Sequence, residues 1–303
     1  MSRHGSTWRA ELAALGFRGE LRAEALLAPL TTWRIGGPAE LLAVPADRHD
    51  LQLALDWAAR SAVGWRVLGN GSNLLVRDSG VAGLVLRVRR ALDDLHVEGS
   101  AIVAGAGAMF PSVANAAASA GLAGIEFGAG IPGTLGGAIV MNAGWHEHEI
   151  GGCVREVEWL DATGLPHRAS RDQCGFGYRR SAFRSAGRIV LGATLDLTAG
   201  DPLAIRGRLE AFAASRKEHQ PTEWPSCGSV FVKPPGDFAG RLIDQAGLKG
   251  LRVGDVEVSE KHANFFVNRG AATAADVLTL VERVEAEVER RFGVRLEREF
   301  ELW

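Results

Sequence analysis

Glycine is concentrated in three parts of this chain. The 38 glycines cluster from Gly69 to Gly83, from Gly105 to Gly144 and from Gly228 to Gly254. Because glycine has no side chain, a cluster of glycines lets the backbone lie close to a ligand or to other backbone. We therefore expect the backbone to approach a neighbour closely at each of these three places.

The composition is that of an ordinary globular protein. Its 303 residues, 47% hydrophobic and 23% charged, suffice for two or three domains with cores of ordinary size. A formal net charge of -2 argues against a nucleic-acid partner. No apolar run follows the first residues or reaches about 18 residues, so we expect neither a signal peptide nor membrane insertion. The three cysteines, which are far apart in the sequence, are Cys153, Cys174 and Cys227. They predict no disulfide framework, which fits a protein of the reducing cytoplasm.

Short strands and several helices alternate along the chain, which predicts an α+β fold. A helix is expected to begin at Asp47, with Leu51, Leu55 and Ala58 on its apolar stripe. Apolar runs predict strands at 39–45, 65–68, 84–88, 102–104, from 154 and at 189–197, with a helix at 111–120. The breakers at 199–202 predict a domain boundary.

The last third of the chain predicts three helices and a final strand. Two helices are expected at 203–214 and 237–246. The third has a capping box at Thr273 and Asp276 and a glycine stop at Gly293. Val294 to Trp303 alternates between apolar and charged residues and predicts a strand, with Glu297, Glu299 and Glu301 on its solvated face.

The motif L-G-N-G-S-N-L-L-V, Leu68 to Val76, lies between two strand-like runs. Its glycines would allow consecutive backbone N–H groups to face a pyrophosphate. A tight hairpin turn explains the same residues, because Asn-Gly is a strong hairpin signal. Both interpretations remain open on spacing alone.

A second glycine motif, V-A-G-A-G-A-M-F from Val103, resembles a dinucleotide-binding fingerprint only in part. Phe110 stands where the third glycine belongs, and no acidic residue follows at the expected distance. We interpret it as the end of a strand entering a helix.

The densest glycine run is G-I-P-G-T-L-G-G-A-I-V-M-N-A-G, Gly130 to Gly144. Close approach to a large flat or phosphorylated ligand explains it better than an irregular loop does. Further on, F-G-Y-R-R-S-A-F carries Tyr178, the only tyrosine, beside two arginines. Such an arginine could stabilise a developing negative charge, although a solvated guanidinium is the commoner case.

The motif S-C-G-S-V-F, Ser226 to Phe231, contains candidate nucleophiles but no nucleophile elbow. Ser229 has no recognisable triad partner, and a lone Cys227 is more often a small buried apolar group. His146 and His148 in a polar loop are more often exposed than ligating, and no metal site is expected.

Taken together, the order and spacing of these motifs resemble the UDP-N-acetylenolpyruvoylglucosamine reductases of bacterial peptidoglycan synthesis. The resemblance begins at T-T-W-R-I-G-G-P-A and continues through L-G-N-G-S-N-L-L-V, G-L-A-G-I-E-F-G-A-G-I-P-G-T-L-G-G-A and M-N-A-G. Its later and more specific blocks are F-G-Y-R-R-S-A-F, R-K-E-H-Q-P, C-G-S-V-F, A-G-R-L-I-D-Q-A-G-L-K-G, S-E-K-H-A-N-F-F-V-N and L-E-R-E-F. The short interval from Phe183 to Ser229 indicates the shorter type of the family, without the extra substrate-covering insertion.

The resemblance implies a two-subdomain FAD-binding region of the PCMH type followed by a smaller α/β substrate-binding domain. The corresponding ranges are an N-terminal helical segment at 1–27, an FAD-binding region at 28–200 (subdomains 28–88 and 89–200) and a substrate domain at 201–303. It implies FAD contacts from Gly69, Asn70, Gly71, Ser72, Asn73, Gly130, Ile131, Pro132, Gly133, Thr134, Gly137, Ala138 and Asn142.

The reaction implied by the resemblance has two halves: NADPH reduces FAD, and the flavin then reduces the enolpyruvyl group of UDP-N-acetylglucosamine enolpyruvate. By motif, Ser229 is the proton donor, and Arg179 and Glu299 support the enolate or the donor. Tyr178, His219 and Lys233 are expected at the substrate. No partner other than these small molecules is implied, and we expect a monomer.

Two departures from the family pattern affect the expected substrate contacts. His219 stands where relatives commonly have lysine, and Val232 with Lys233 replaces a lysine and a polar residue. Two other functions remain alternatives: an FAD oxidase or dehydrogenase acting on an alcohol or sugar acid, and a non-catalytic flavin- or nucleotide-binding protein.

Overall fold

The computed structural model describes residues 4–185 and 187–303. Two compact units divide the chain, and each collects segments that are distant in sequence. Unit 1 consists of the residues up to Glu24, then Glu40–Asn70 and Ala82–Ser215. Unit 2 consists of Ala25–Ala39, Gly71–Val81 and Arg216–Trp303.

Helices and strands are both abundant among the described residues. The α-helices are α1 (His4–Ala14), α2 (Arg48–Arg60), α3 (Phe110–Ser119), α4 (Leu135–Val140), α5 (Pro202–His219), α6 (Ala239–Gln245) and α7 (Ala274–Phe292). The strands are β1 (Glu20–Leu26), β2 (Pro38–Val44), β3 (Trp65–Leu68), β4 (Leu74–Leu75), β5 (Val81–Arg87), β6 (Leu95–Glu98), β7 (Ala101–Gly105), β8 (Leu122–Ala123), β9 (Gly144–Trp145), β10 (His148–Glu149), β11 (Val154–Leu160), β12 (Pro166–Ser170), β13 (Ile189–Asp196), β14 (Thr198–Ala199), β15 (Arg252–Val253), β16 (Val256–Val258), β17 (Phe266–Asn268) and β18 (Glu301–Leu302). The predicted α+β class is therefore confirmed.

Unit 1 contains two principal sheets. The first has the strand order β1-β2-β5-β3, and β3 and β5 are parallel, with Leu68 opposite Arg87. The second is an antiparallel sheet of five strands in the order β12-β11-β13-β7-β6. Its hydrophobic core takes buried side chains from both sheets and from α2 and α3.

The predicted helix at Asp47 is confirmed as α2. Asp47 is the N-cap, and its side chain accepts a hydrogen bond from the Asp50 N–H. Leu51, Leu55 and Ala58 are all buried, as the helical spacing predicted. Capping and periodicity act within one turn of the chain, so both could be identified from sequence.

Unit 2 is built around a three-stranded antiparallel sheet in the order β15-β16-β17. Its core includes residues from an early segment: Trp33 is fully buried, its ring centroid lies 5.6 Å from that of Phe300, and its indole N–H donates to the carbonyl of Phe266. The segment around Trp33 thus anchors unit 2, which its position early in the sequence did not indicate.

The last helix, α7, follows its predicted start and stop. Thr273 and Asp276 form a capping box, and Gly293 adopts the left-handed conformation at the C-terminus. Its predicted apolar face, which includes Val277 and Leu280, is buried in unit 2. By contrast, the helix predicted at 203–214 extends further at its C-terminal end, as α5 reaches His219.

The continuous terminal strand predicted at 294–303 is wrong. Regular pairing is confined to β18, which runs parallel to β4, and to one bridge between Phe231 and Arg298. The alternation still describes burial, because Phe300 is buried and Leu302 packs against the core of unit 2. Alternation indicates which side faces the core, but pairing requires a partner strand at every position.

The N-terminal segment contains more than the expected helix, because β1 begins within 1–27. The domain ranges concern FAD and substrate binding, and they stay a prediction. Among the described residues, no helix combines the length and the apolar character needed to cross a membrane.

Candidate active site

The G-N-G-S-N turn is not a hairpin. The strands on its two sides pair elsewhere, β3 with β5 and β4 with β18. The hairpin interpretation is therefore wrong, and the turn needs another reason for its glycines.

Gly71 supplies that reason in part. Its φ of +61° is left-handed, and an added Cβ would lie 2.5 Å from the carbonyl oxygen of Leu30. Across the described part of the chain, the backbone N–H groups of Asn70, Gly71 and Ser72 donate no hydrogen bond. Consecutive N–H groups of this kind suit an anionic ligand.

The glycines of the G-I-P-G-T-L-G-G segment serve mainly internal packing. An added Cβ would lie 2.2 Å from the ring of Trp145 at Gly130 and 2.8 Å from the Ala106 Cβ at Gly136. Gly137 differs, since only Thr134 Oγ1, at 3.6 Å, lies within 4 Å of its added Cβ. Thr134 caps α4 by accepting from the Gly137 N–H. Internal packing thus explains Gly130 and Gly136, and close approach of this segment to a ligand stays a prediction.

Asn142, expected at the cofactor, has its side chain committed to the protein. It is 1% exposed, with φ at +43°. Its Nδ2 donates to Glu149 Oε2 at 2.7 Å and to the Gly177 carbonyl at 3.0 Å, and its Oδ1 accepts from the Gly151 N–H at 2.9 Å.

Arg179 lies at the tip of a tight turn in unit 1. Gly177 and Arg180 exchange both backbone hydrogen bonds at 3.0 Å, which closes the turn. Arg179 has φ at +54°, and its Nη2 donates to the Gly144 carbonyl at 3.2 Å. Tyr178, half exposed, places its ring centroid 5.2 Å from the guanidinium. A left-handed conformation at an arginine is strained, and such strain concentrates at functional sites.

Ser229 and Glu299 lie on neighbouring backbone segments of unit 2. Ser229 bridges Phe265, and the next residue, Val230, accepts at its carbonyl from the Glu299 N–H at 2.8 Å. The Asn73 side chain donates to the Glu299 carbonyl at 3.2 Å. The motifs S-C-G-S-V-F and L-E-R-E-F, 70 positions apart, are therefore brought together.

Asn264 holds the same region from the other side, and sequence reasoning missed it. Its Oδ1 accepts from the Phe231 N–H and its Nδ2 donates to the Phe231 carbonyl, so the buried amide replaces a missing strand partner. The signal available in the sequence was an asparagine between apolar residues in A-N-F-F-V.

Cys227 is buried, as predicted, and so is Cys174, whereas Cys153 is half-buried. Burial raises the pKa of the Cys227 thiol well above its ordinary value, and the nearby Glu299 carboxylate raises it further. Burial likewise raises the pKa values of Cys153 and Cys174 to about 11. All three cysteines are free, which agrees with the absence of a predicted disulfide framework.

His219 and Lys233 both lie in unit 2 at exposed positions. His219 ends α5 near the partly buried His262, whose pKa is lowered first by burial and then by the charges of Lys249 and His219. The Lys233 ammonium lies 4.4 Å from the ring centroid of Phe238.

The remaining sequence motifs have structural explanations. V-A-G-A-G-A-M-F ends β7 and enters α3, as interpreted, and Gly107 is needed because an added Cβ would lie 2.3 Å from the Arg89 carbonyl. His146 stacks on Trp145 and His148 on Phe127. Within the described ranges, no group of three His, Cys, Asp or Glu side chains is arranged to hold a metal.

A cavity of about 420 Å³ in unit 1 was not anticipated. It is lined by Arg87, Arg89 and Arg90 and by residues at the start of α3. The buried Nε of Arg87 has no hydrogen-bond partner among the described residues. Burial, and after it the charge of Arg89, lowers the pKa of Arg87. The adjacent arginines in R-V-R-R were the available signal.

Two family models match the chain. The C-terminal domain of UDP-N-acetylenolpyruvoylglucosamine reductase matches residues 220–303, and an FAD-binding domain matches residues 39–170.

Relatives extend these matches over nearly the whole chain. The chain is 50% identical to UDP-N-acetylenolpyruvoylglucosamine reductase of Moorella thermoacetica over 273 residues, 90% of each chain. It is 46% identical to UDP-N-acetylenolpyruvoylglucosamine reductase 2 of Symbiobacterium thermophilum over 285 residues, 94% of this chain and 92% of the relative.

A solved structure gives the same result in three dimensions. The crystal structure of UDP-N-acetylenolpyruvylglucosamine reductase from Thermus caldophilus matches with a TM-score of 0.81 and 40% identity. The match covers 94% of this chain and 99% of that one. The chain therefore belongs to the UDP-N-acetylenolpyruvoylglucosamine reductase family, in its shorter form, and is an FAD-dependent oxidoreductase.

Proposed function

We propose that this protein reduces UDP-N-acetylglucosamine enolpyruvate to UDP-N-acetylmuramate in peptidoglycan precursor synthesis, with NADPH as the reductant. The observation that supports it most directly is the backbone contact between the Ser229 and Glu299 segments, since the Glu299 N–H donates to Val230. An oxidase of the same FAD-binding architecture would not require this serine and glutamate pair.

The residues present fit FAD on two counts. Among the described residues, the backbone N–H groups of Asn70, Gly71 and Ser72 in the G-N-G-S-N turn have no hydrogen-bond partner, and neither does the buried guanidinium Nε of Arg87. Both suit a phosphorylated cofactor. We assign FAD binding to this turn and to the segment from Gly130 to Ala138, with Asn142 supporting that segment rather than contacting FAD through its side chain.

The turn at Gly69–Asn73 and the segment from Gly130 to Ala138 would hold FAD, whose N5 would supply hydride transfer from NADPH to the β-carbon of the enolpyruvyl group. Hydride addition leaves a negative charge at the α-carbon, delocalised into the carboxylate as an enolate. The protein's own residues must stabilise this enolate and then protonate it. We assign Arg179 to stabilise that enolate, because a positioned guanidinium lowers the energy of an oxyanion. Ser229 donates its hydroxyl proton to the α-carbon.

Serine is a weak acid, so its proton transfer depends on charges around it. The Glu299 carboxylate lies close enough to Cys227 to raise the pKa of its thiol. We assign Glu299 to orient the Ser229 hydroxyl or, when its carboxyl is protonated, to return a proton to the Ser229 alkoxide. Either role requires a fixed distance between their two segments.

In this proposal the substrate is held by Tyr178 together with His219 and Lys233, and the last two belong to a substrate-binding domain at 201–303. Lys233 offers an ammonium and His219 an imidazole that suit a diphosphate. We further propose that the protein acts in the cytoplasm as a monomer.

An anaerobic two-step experiment tests the proposal. The FAD-loaded protein is reduced with NADPH, the enolpyruvyl substrate is added, and the return of the oxidised flavin absorbance is followed by stopped flow. We expect rapid reoxidation by the enolpyruvyl substrate and none by UDP-N-acetylglucosamine, which lacks the double bond.

Three outcomes would contradict the function. A flavin that stays reduced with the enolpyruvyl substrate would exclude the reaction. Reduction of the flavin by an alcohol or a sugar acid, in place of NADPH, would indicate the oxidase alternative. A purified protein without flavin absorbance, even after incubation with FAD, would indicate a non-catalytic binding protein.

A further inference from the structure

Arg179 is supported at both ends of its turn by contacts within unit 1. At the tip, its Nη2 donates to the Gly144 carbonyl at 3.2 Å. At the base, the Gly177 carbonyl accepts two hydrogen bonds, from the Arg180 N–H and from Asn142 Nδ2, each at 3.0 Å. Because φ at Arg179 is +54°, the turn stores strain that these contacts must offset.

The amide of Asn142 has only one orientation that satisfies its neighbours. Its Oδ1 faces a donor, the Gly151 N–H, while its Nδ2 faces two acceptors, Glu149 Oε2 and the Gly177 carbonyl. Asn142 itself is 1% exposed. A fully satisfied, buried amide of this kind holds its neighbours rigidly.

Glu149 connects the base of the turn to its tip. Its carboxylate accepts from Asn142 at 2.7 Å, and its backbone pairs in the β9–β10 hairpin with Gly144, whose carbonyl holds Arg179. The contacts therefore form a closed ring: Arg179, Gly144, Glu149, Asn142, Gly177 and back to Arg179.

We propose that Asn142 and Glu149 are positioning residues for Arg179, fixing its guanidinium through the closed ring. This inference rests on the proposed function, in which Arg179 stabilises the enolate. Neither residue contacts the reacting atoms in this assignment. Glu149 serves as a hydrogen-bond acceptor that fixes the Asn142 amide, and Asn142 fixes the base of the turn.

The proposal predicts a selective defect. Arg179 is needed only when negative charge develops on the substrate, so a loosened turn slows flavin reoxidation by the enolpyruvyl group. Flavin reduction by NADPH develops no such charge and proceeds at the wild-type rate. A displacement of about 1 Å at a positioned group can slow a reaction about 100-fold.

Glu149 gives the cleanest variants. It borders an open cavity of about 500 Å³, so water can replace its carboxylate in Glu149→Ala without collapse of the site. We expect Glu149→Ala to slow reoxidation about 100-fold. Glu149→Gln retains a carbonyl oxygen that accepts from Asn142 but loses the negative charge that strengthens this hydrogen bond. Its rate of flavin reoxidation is expected within about threefold of the wild-type rate. Glu147→Ala, on the same hairpin but exposed, is the matched control and should leave both half-reactions unchanged.

A double-mutant cycle shows whether Glu149 acts through Arg179. If it does, Glu149→Ala has no further effect on reoxidation in an Arg179→Ala background. Additive losses would contradict the proposal, as would equal slowing of both half-reactions by Glu149→Ala. Should Glu149→Ala fail to fold, Glu149→Asp keeps the charge and shortens the side chain, and the same two outcomes apply.

A readout independent of the substrate separates this proposal from the proposed function. Hydrogen exchange of the segment from Phe176 to Phe183 should be faster in Glu149→Ala than in wild type or Glu147→Ala. Unchanged exchange would overturn the positioning role even if the wild-type protein reduces the substrate. Failure of wild-type reoxidation would overturn the function, while the exchange result would still show whether the ring holds the turn.

Discussion

The turn that carries Arg179 and the segments that carry Ser229 and Glu299 are held by different kinds of hydrogen bond. Two backbone hydrogen bonds between Gly177 and Arg180 close the Arg179 turn. Side-chain contacts attach that turn to its surroundings, from Asn142 to Gly177 and from the Arg179 guanidinium to Gly144. Ser229 and Glu299 depend mainly on the backbone, through the Glu299 N–H to Val230 and the bridge from Ser229 to Phe265.

This difference determines which substitutions each region tolerates. Backbone hydrogen bonds survive most changes of side chain, so the Ser229 region should lose function chiefly when a reacting group is removed. The Arg179 turn should also lose function when a distant supporting residue is changed. Three predictions test this contrast and a fourth tests the stability of unit 1 in acid, and they run from the largest expected effect to the smallest.

Removal of the Ser229 hydroxyl should have the largest effect on catalysis. Ser229→Ala is expected to slow flavin reoxidation by the enolpyruvyl substrate about 1,000-fold or more, because a positioned proton donor contributes on that order. Flavin reduction by NADPH should remain near the wild-type rate in the same stopped-flow assay. Ser226→Ala, three residues earlier, is the control, and equal effects of the two variants would contradict a donor role for Ser229.

The two glycines next to these sites should differ in what they tolerate. In Gly144→Ala the new Cβ would lie 2.1 Å from the His148 carbonyl oxygen, so the hairpin must move, at a cost of about 3 kcal/mol in unfolding free energy. Gly228 has φ at +84° but no heavy atom within 4 Å of an added Cβ, so Gly228→Ala should cost about 1 kcal/mol. Denaturant unfolding of the FAD-loaded protein measures the two losses of unfolding free energy. A larger loss in Gly228→Ala than in Gly144→Ala would show that backbone strain costs more than the steric clash.

Acid should weaken unit 1 through Asp50. Burial acts to raise the pKa of this carboxyl, but hydrogen bonds from the N–H groups of Ala46, Arg18 and Gly19 outweigh it, so the folded pKa is lowered. These bonds stabilise the fold above the unfolded pKa of about 4 and are lost as the pH falls through the folded value.

Asp50→Asn should therefore cost about 2 kcal/mol of unfolding free energy at pH 7, with the difference from wild type shrinking in acid. Asp255→Asn in unit 2 is the control, because the Asp255 side chain is 38% exposed. Its loss of unfolding free energy at pH 7 should be smaller than that of Asp50→Asn. If the unfolding free energies of Asp50→Asn and wild type differ by the same amount from pH 7 to pH 3, protonation of Asp50 does not weaken the fold in acid.

The smallest effect is expected at Asn73. Asn73→Ala removes the 3.2 Å contact to the Glu299 carbonyl but leaves the backbone bond from Glu299 to Val230. We expect a loss of about 1 kcal/mol in unfolding free energy and a less than roughly tenfold change in reoxidation rate. If Asn73→Ala slowed flavin reoxidation as much as Ser229→Ala does, the backbone hydrogen bond alone would not hold Glu299 in place. The proposed difference between the two regions would then be wrong.

Much of the local structure was predictable because its causes lie within a few residues. The capping box at Thr273 and Asp276, the stop at Gly293 and the buried stripe of α2 all follow from spacing. The same reasoning overextended the C-terminal strand, because alternation reports the face that is buried and not the presence of a partner. The site residues were reached through the resemblance of whole motifs, since single motifs left the serine, the cysteine and the arginine as open candidates.

Some features of the site could not be predicted from local sequence. The resemblance placed Asn142 among the FAD contacts, yet its side chain is committed to Glu149, Gly151 and Gly177. The glycine-dense segment also proved to serve its own packing, with Gly130 against Trp145 and Gly136 against Ala106. A glycine signals close approach, but only the fold shows whether a ligand or a neighbouring side chain makes that approach.

The sequence by itself determined the start of α2, both ends of α7, the buried faces of these two helices and the family of motifs to which Ser229 belongs. Only the tertiary structure decided that Trp33 packs with Phe300 and donates to Phe266, 233 positions away, and that Glu149 supports the turn of Arg179 through Asn142. The physical reason is range: capping and periodicity act between residues a few positions apart, whereas these contacts exist only once distant segments have been folded against one another.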